Sequence, residues 1–578
     1  MSTSEKKRFG MVALGLTLSS FLFFQLFYAY HLFFKEQIQL FLFTSDYFLT
    51  YFDKPAWLAS YVGDYLTQFF YLRGGGAIVL SLLFCLEWLL CSLIIQRISA
   101  TRIGLLWGLF PVGMDWILHT DLLHQASVSV GFVALLILFL FYSSISNRWI
   151  SIFTGTLMAL MGYWLLGSSF LLFPWLVIGF EWKERKSNWL KWILITAIVF
   201  SIPLVCRHYY LLTLIQSYIF PAFKGQSMLL YGILILTFSV AFFLKRFEVK
   251  SKQIFYITIP FTFILLLSFG IKATANFDRE KILALDNEYY FGNTSRVIEL
   301  SRRYQLKSRS ASYYTNMALA KQGLLPEYLL DFYQPAASGL ILPVTPEESW
   351  QTIFVSNEVF FLLGDMNLAQ HSAMLGNTFS PNQRSSRMIK RLAEINMVNG
   401  DMAGADKYLR ILANTMFYKS WAESRLAINH SSASAKWLIE KQAQIPTIDL
   451  IRKSTTYLAS LNFLVEQHPD NLIALDYLLC YHLLNKDLKS FKILYDQYGR
   501  MGNRPLPSLY SEALLIQLLA SNASQEVIES YSISPKKTKD FVDYTQQFEK
   551  TKGNMNTLTG RFGKSYWFYY HFATIQKR

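Results

Sequence analysis

Apolar and polar positions along the chain follow two regimes that meet near residue 272. Before that point lie about nine apolar runs separated by short loops; after it come roughly 300 residues that read as ordinary soluble helices. A helix needs about 20 apolar residues to cross about 30 Å of hydrocarbon. The pattern therefore predicts an all-α chain with a polytopic transmembrane helix bundle over residues 1–272 and a soluble helical domain over residues 273–578. The expected spans are Gly10–Phe34, Gly76–Ile95, Ile103–Leu118, Ser127–Tyr142, Trp149–Leu165, Ser168–Phe180, Leu190–Cys206, Met228–Leu244 and Phe255–Ile271. Pro111, Pro174 and Pro203 are expected to kink theirs. The apolar stretch Tyr209–Phe223 reads as re-entrant or interfacial. The first run is too long for the core of a signal peptide and has no Ala-x-Ala exit, so it reads as an uncleaved span.

Charge sets the expected orientation. With the N-terminus in the cytoplasm and the spans alternating, the inner segments hold 14 Lys and Arg and the outer loops 5. That bias is what the positive-inside rule demands, and an odd span count then puts the C-terminal domain outside the cytoplasm. The net charge of +15 lies largely in these short loops, so it argues for topology rather than for a nucleic-acid partner. Aromatic residues, 17% of the chain, are concentrated in the first half, as suits helices anchored at both membrane interfaces. Cys85, Cys91 and Cys206 fall in apolar runs and Cys480 stands alone, with no CxxC or Cys/His spacing, which indicates neither a disulfide framework nor a zinc site.

Beyond residue 272 the chain repeats itself. Leu363-Gly364-Asp365-Met366-Asn367-Leu368-Ala369 is echoed by Asn399-Gly400-Asp401-Met402-Ala403-Gly404-Ala405, with Gly-Asp-Met returning after 36 residues. Gly permits a tight turn between helices, and a small Ala lets the second helix pack closely on the first. Ala318–Gly323 reads as an earlier, degraded copy and His468–Tyr498 as a later one. The period resembles that of tetratricopeptide helix pairs and implies an α-α repeat array. Such an array would offer a concave surface to a protein, peptide or glycan, or else cap the membrane domain.

The first outer loop, residues 35–73, is the longest between spans and reads as two interfacial helices, the second running from Pro55 through Tyr71. Phe41, Phe43, Tyr47, Phe48, Tyr51 and Phe52 would form an aromatic surface, with Glu36, Asp46, Asp53 and Asp64 among them. A carboxylate at the lipid–water boundary could deprotonate an acceptor hydroxyl, and Asp64 and Asp46 are the candidates. Asp53, two residues before Pro55, reads as a helix cap, and Asp46 could also be one. The second outer loop, Asp115-Trp116-Ile117-Leu118-His119-Thr120-Asp121-Leu122-Leu123-His124, adds Asp121 as a further catalytic candidate. If it is helical, Asp115 and His119 share a face at i, i+4 and could orient a phosphate. A divalent metal could also sit there, but no third ligand is set by spacing, and the sequence requires no cofactor. Arg73, Arg207, His208 and Lys224, with Gln68, are the groups expected to bind an anionic lipid head. Glu87 lies inside the second span, where a charge costs about 2.5–3.5 kcal/mol, and should face other helices or a cavity.

Two resemblances extend this reading. A first span, a long acidic outer loop, closely packed spans and an outer C-terminal domain together resemble the membrane-embedded glycosyltransferases of the GT-C class. That resemblance covers about residues 1–272 and implies acidic residues in the first two outer loops, here Asp46 or Asp64 and Asp115 or Asp121. The chain lacks the tight acidic pair that such enzymes carry soon after the first span. Separately, Pro55-Ala56-Trp57-Leu58-Ala59-Ser60-Tyr61-Val62-Gly63-Asp64-Tyr65-Leu66-Thr67-Gln68-Phe69-Phe70 is similar to a segment of an uncharacterised family of Bacteroidota membrane proteins with a repeat-like tail. It implies a multi-pass protein of a Gram-negative inner membrane with a periplasmic tail. The expected function is transfer of a sugar from a polyprenyl-phosphate carrier to a periplasmic acceptor. The alternative is a non-catalytic scaffold that docks a periplasmic protein on its repeats.

Overall fold

The computed structural model describes the chain except residues 1–2, 100–103, 184–188, 223–224, 226–227, 245–251, 343–349, 427–432, 449–456, 501–503 and 575–578. Among the described residues there are helices and turns and no strand. The chain divides into two compact units, Met1–Glu280 with Asn414–Lys419, and Lys281–Ala413 with Ser420–Arg578.

In the first unit the helices are α1 (Thr3–Leu22), α2 (Tyr30–Gln37), α3 (Ser45–Leu49), α4 (Trp57–Thr67), α5 (Gly75–Ser99), α6 (Gly104–Trp107) and α7 (Leu109–His119). There follow α8 (Ala126–Ser143), α9 (Arg148–Leu166), α10 (Phe173–Lys183), α11 (Trp189–Tyr209), α12 (Leu214–Ile219), α13 (Met228–Leu244) and α14 (Lys252–Thr274). Among the described residues, six helical segments are long and apolar enough to cross a membrane: Phe9–Phe27, Gly75–Ile98, Ala126–Ser143, Arg148–Trp182, Trp189–Tyr209 and Ile257–Thr274. Only 6% of the last window is buried, and Ile257, Phe261, Ile264 and Phe269 face outwards. An isolated apolar face of that length is unfavourable in water and favourable in lipid, which makes this a membrane protein.

Several helix ends differ from the hydrophobic pattern. The expected first span does not run to Phe34. After a π-turn at Phe23–Phe27, Tyr28 leaves helical geometry (φ −145°, ψ 50°) and α2 begins separately at Tyr30. The run Ile103–Leu118 becomes α6 and the 11-residue α7, the latter about 16 Å long. Pro174 is the second residue of α10, where its missing N–H costs nothing, so it starts a helix instead of kinking one. The stretch Arg148–Trp182 is broken at Gly167, whose φ of +65° suits glycine. It folds back there: the Glu181 carboxylate meets the Tyr142 hydroxyl and the Lys191 ammonium, and both of these bond Ser151 near the start of α9.

The core of this unit forms around α8. Val128, Phe132, Leu135, Leu136 and Phe139 are all fully buried, together with Ala59, Ala159 and Phe170. Helix α4 lies tightly against α8 because Gly63 carries no side chain: a Cβ there would sit 2.5 Å from the Ser127 nitrogen. Of the aromatic residues expected to form a surface over 35–73, Phe43 is exposed and Phe48 and Phe52 are partly so, but the other three turn inwards. Phe41, Tyr47 and Tyr51 are buried among Trp57, Tyr61 and Tyr65, an internal cluster of tilted and edge-to-face rings. Residues 414–419 complete it, Tyr418 donating to Glu36 at 2.9 Å and Phe417 stacking on Tyr71.

The second unit is built of helix pairs. Gly364 (φ +92°) ends Asn357–Leu363, and Asp365 caps Met366–Thr378 by accepting from the Leu368 N–H at 3.2 Å. Gly400 (φ +78°) separates Ser386–Val398 from Met402–Ala413, with Asp401 accepting from the Gly404 N–H at 2.9 Å. Ala369 and Ala405 are fully buried on the second helices. Arg387, 1% exposed, holds both oxygens of Asp286 at 2.8 Å and shares Glu358 with Arg391. Burial alone would raise the Glu358 carboxyl, but Arg391 and Arg387 outweigh it and hold it below the usual range.

Candidate functional site

Two constellations in the first unit carry chemistry. One is built on Asp64, a partly buried residue of α4. Tyr51 donates to its Oδ2 at 2.7 Å, the Tyr47 and Tyr51 hydroxyls lie 2.6 Å apart, and Tyr47 bonds the Leu40 carbonyl at 2.9 Å. The chain of hydroxyls fixes one carboxylate oxygen. Burial pushes the Asp64 carboxyl up to about 6, against the Tyr51 hydrogen bond and the charge of Lys54, which lower it. A carboxylate with that affinity for protons can accept one near neutral pH.

The other lies where α7 meets α8. Asp115 and His119 are one helical turn apart, 3.7 Å between carboxylate Oδ2 and imidazole Nε2. Beyond them Asp121 accepts from the Leu123 N–H at 2.9 Å, a local turn that reverses the chain and returns His124 to Asp115, Nε2 to Oδ1 3.3 Å. Ser129, on the first turns of α8, donates to Asp115 Oδ1 at 2.9 Å and lies 2.9 Å from His119 Nε2. All four side chains are buried, Asp115 and Ser129 completely. The turn is held from α2: Lys35 Nζ donates to the carbonyls of His119 (3.4 Å) and His124 (3.0 Å), and His31 Nε2 to that of His119 (2.9 Å). Glu280 caps α2 in turn, accepting from the Tyr30 and His31 N–H groups where Ala29 offers no side-chain cap. Burial drops the Lys35 ammonium to about 7, although the charges of Asp121 and Asp115 raise it.

The other expected site residues lie apart from these two groups. Asp46 is exposed in the first turn of α3, where Thr44 is the cap. Asp53 caps nothing; Ala56, in the left-handed region at φ +58°, precedes α4. Gln68 is buried and spends its amide on the Tyr65 carbonyl at 2.9 Å, in a 3-10 turn that ends the helix expected to reach Tyr71. Arg73 is exposed in the turn before α5, and Arg207 and His208 close α11. Among the described residues none of Asp46, Arg73, Arg207 and His208 makes a hydrogen bond or ion pair with either constellation. Lys224 lies outside the described residues. Lys35, His31, His124, Ser129 and Glu280 escaped the reading of the sequence. For His124 the signal was present, since it follows Asp121 by a turn's length in the segment already singled out.

No curated protein and no solved structure matches the chain. Residues 5–573 match the model of a family described as "Family of unknown function (DUF6057)". The apolar spans and both constellations fall within those residues, and the chain belongs to this family.

Proposed function

We propose that the chain is a GT-C-like glycosyltransferase of a bacterial inner membrane, moving a sugar from a polyprenyl-phosphate carrier to a periplasmic acceptor. The observation that carries this reading is Asp64, a half-buried carboxylate in the segment after the first span, oriented by Tyr51 and raised to about 6. It is the base that removes the acceptor's hydroxyl proton as the sugar leaves its phosphate. Arg73, Arg207 and Lys224 are the cations assigned to the phosphate. In this reading the chain crosses the membrane nine times, with the N-terminus cytoplasmic and the tail periplasmic, which the distribution of basic residues supports. Lipids co-purifying with the detergent-solubilised protein, wild type beside Arg73→Ala, test it directly. A polyprenyl phosphate or its sugar conjugate, diminished in the variant, is the expected result. Bulk phospholipid alone, unchanged between the two, would sink the reading, as would full glycan transfer by Asp64→Asn.

A second reading has its own observation. The second unit carries an open groove of about 470 Å³ between Leu285, Arg302, Lys307, Thr315, Phe332 and Lys564. Its mixed apolar and basic lining suits a peptide. Glycine-turned helix pairs of the tetratricopeptide kind would make this unit a docking surface and the whole a membrane-anchored scaffold. Crosslinking through an Arg302→Cys variant would capture one defined protein partner if so, and only solvent-quenched reagent if not.

A further inference from the structure

We infer that Asp115, His119 and His124 form a binding site for a divalent first-row transition metal ion of the Zn²⁺ type. One ligand atom from each of the three lies within 4.8 Å of the others, and all three side chains are buried. The Asp115 carboxylate faces both imidazoles, Oδ1 3.3 Å from His124 Nε2 and Oδ2 3.7 Å from His119 Nε2, spacings close to those of neighbouring ligands on an ion with bonds of about 2.0–2.2 Å. Two imidazoles and one carboxylate exclude the all-oxygen shell that Ca²⁺ and Mg²⁺ prefer.

A second observation is independent of the spacing. Asp115 Oδ2 and His119 Nδ1 are buried and make no hydrogen bond, although each belongs to a residue whose other polar atom is well paired. Both oxygens of Glu87 are in the same condition, and that carboxyl lies close enough to interact with Asp115. Buried polar atoms left in this state are expensive, and two neighbouring buried carboxyls more so. Lys35 does not neutralise them by contact: the hydrogen bonds of its ammonium go to main-chain carbonyls of the turn. A cation held between the three ligands takes up Asp115 Oδ2 and offsets the negative charge of that carboxylate. Ser129, which donates to Asp115 Oδ1, then orients that carboxylate from the outer shell, as such partners do at metal sites. Three protein ligands leave a coordination position open for water or a phosphate oxygen. The inference does not depend on glycosyl transfer, since a scaffold would hold the ion as well.

The full chain, purified in detergent without chelator, is assayed by elemental mass spectrometry and then, after chelation, titrated with Zn²⁺ and Co²⁺. The wild type is expected to carry about one Zn²⁺, Mn²⁺ or Fe²⁺ per chain and to regain it after chelation with a rise in melting temperature. Asp115→Asn and His124→Gln lose the ion, while the exposed Asp46→Asn keeps it. The Co²⁺ form shows ligand-field bands of a mixed nitrogen and oxygen site, a readout that requires only the wild type should a variant fail to fold. Wild-type protein that carries no metal and shows neither stabilisation nor Co²⁺ bands overturns the assignment. So does metal retained in full by both ligand variants.

Discussion

Asp64 and Lys35 are ordinary surface residue types held in places that change their chemistry. Burial lifts the Asp64 carboxyl to about 6, so the proposed transfer is expected to rise through pH 6 and then level off. Tyr51→Phe removes a hydrogen bond that favours the carboxylate, and its rate profile should move to higher pH. An unmoved profile would detach Asp64 from the rate. Lys35 falls from 10.5 to about 7 in the folded chain, so between those values the unfolded state binds the extra proton and stability rises with pH. Lys35→Met should flatten that rise. At pH 7 it should also cost about 1–3 kcal/mol, because the carbonyls of His119 and His124 lose their donor. Thermal unfolding from pH 7 to 10 measures both effects. The chemistry at Asp115 was half legible at this scale: i, i+4 spacing paired it with His119, whereas His124 and Ser129 needed the turn at Asp121 and the start of α8 to arrive.

At the scale of elements, hydropathy located the long helices well and their ends poorly. Apolar runs report how much of a segment avoids water, but Tyr28 and Gly167 break helices inside apolar sequence through backbone geometry. The α4–α8 contact shows what a glycine contributes. Gly63→Ala places a methyl group against the Ser127 backbone and should cost about 1–3 kcal/mol by overpacking. Gly232→Ala, with nothing within 4 Å, should instead raise the melting temperature through helix propensity. Equal shifts for the two would mean that α4 does not rest on α8. The aromatic loop carries a similar lesson. Its residues read as a surface for the headgroup layer, yet Phe41, Tyr47 and Tyr51 form a core of their own.

The whole molecule joins a lipid-facing unit to a helical one of ordinary interior. The exposed apolar faces of α1, α11 and α14 belong to the first, and the Arg387–Asp286–Glu358 network to the second. Charge along the loops predicts the orientation of the first unit. A phosphatase fused after Arg578 should be active in an inner-membrane host, and a fluorescent protein that matures only in the cytoplasm should be dark. The reverse pair of results would leave the distribution of basic residues without a topological role and would put Asp64 on the cytoplasmic side.

By itself the sequence determined that the chain is helical, that its first half belongs in lipid, and that Asp115 and His119 share a face. Each follows from local periodicity or from summed hydropathy, which neighbouring residues carry among themselves. Tertiary structure alone decided which carboxylate is raised, which polar atoms are left without partners, that His124 and Ser129 converge on Asp115, and that Lys35 holds the turn between them. Those properties depend on what lies across the gap between helices, and a gap is filled by residues that are far apart along the chain.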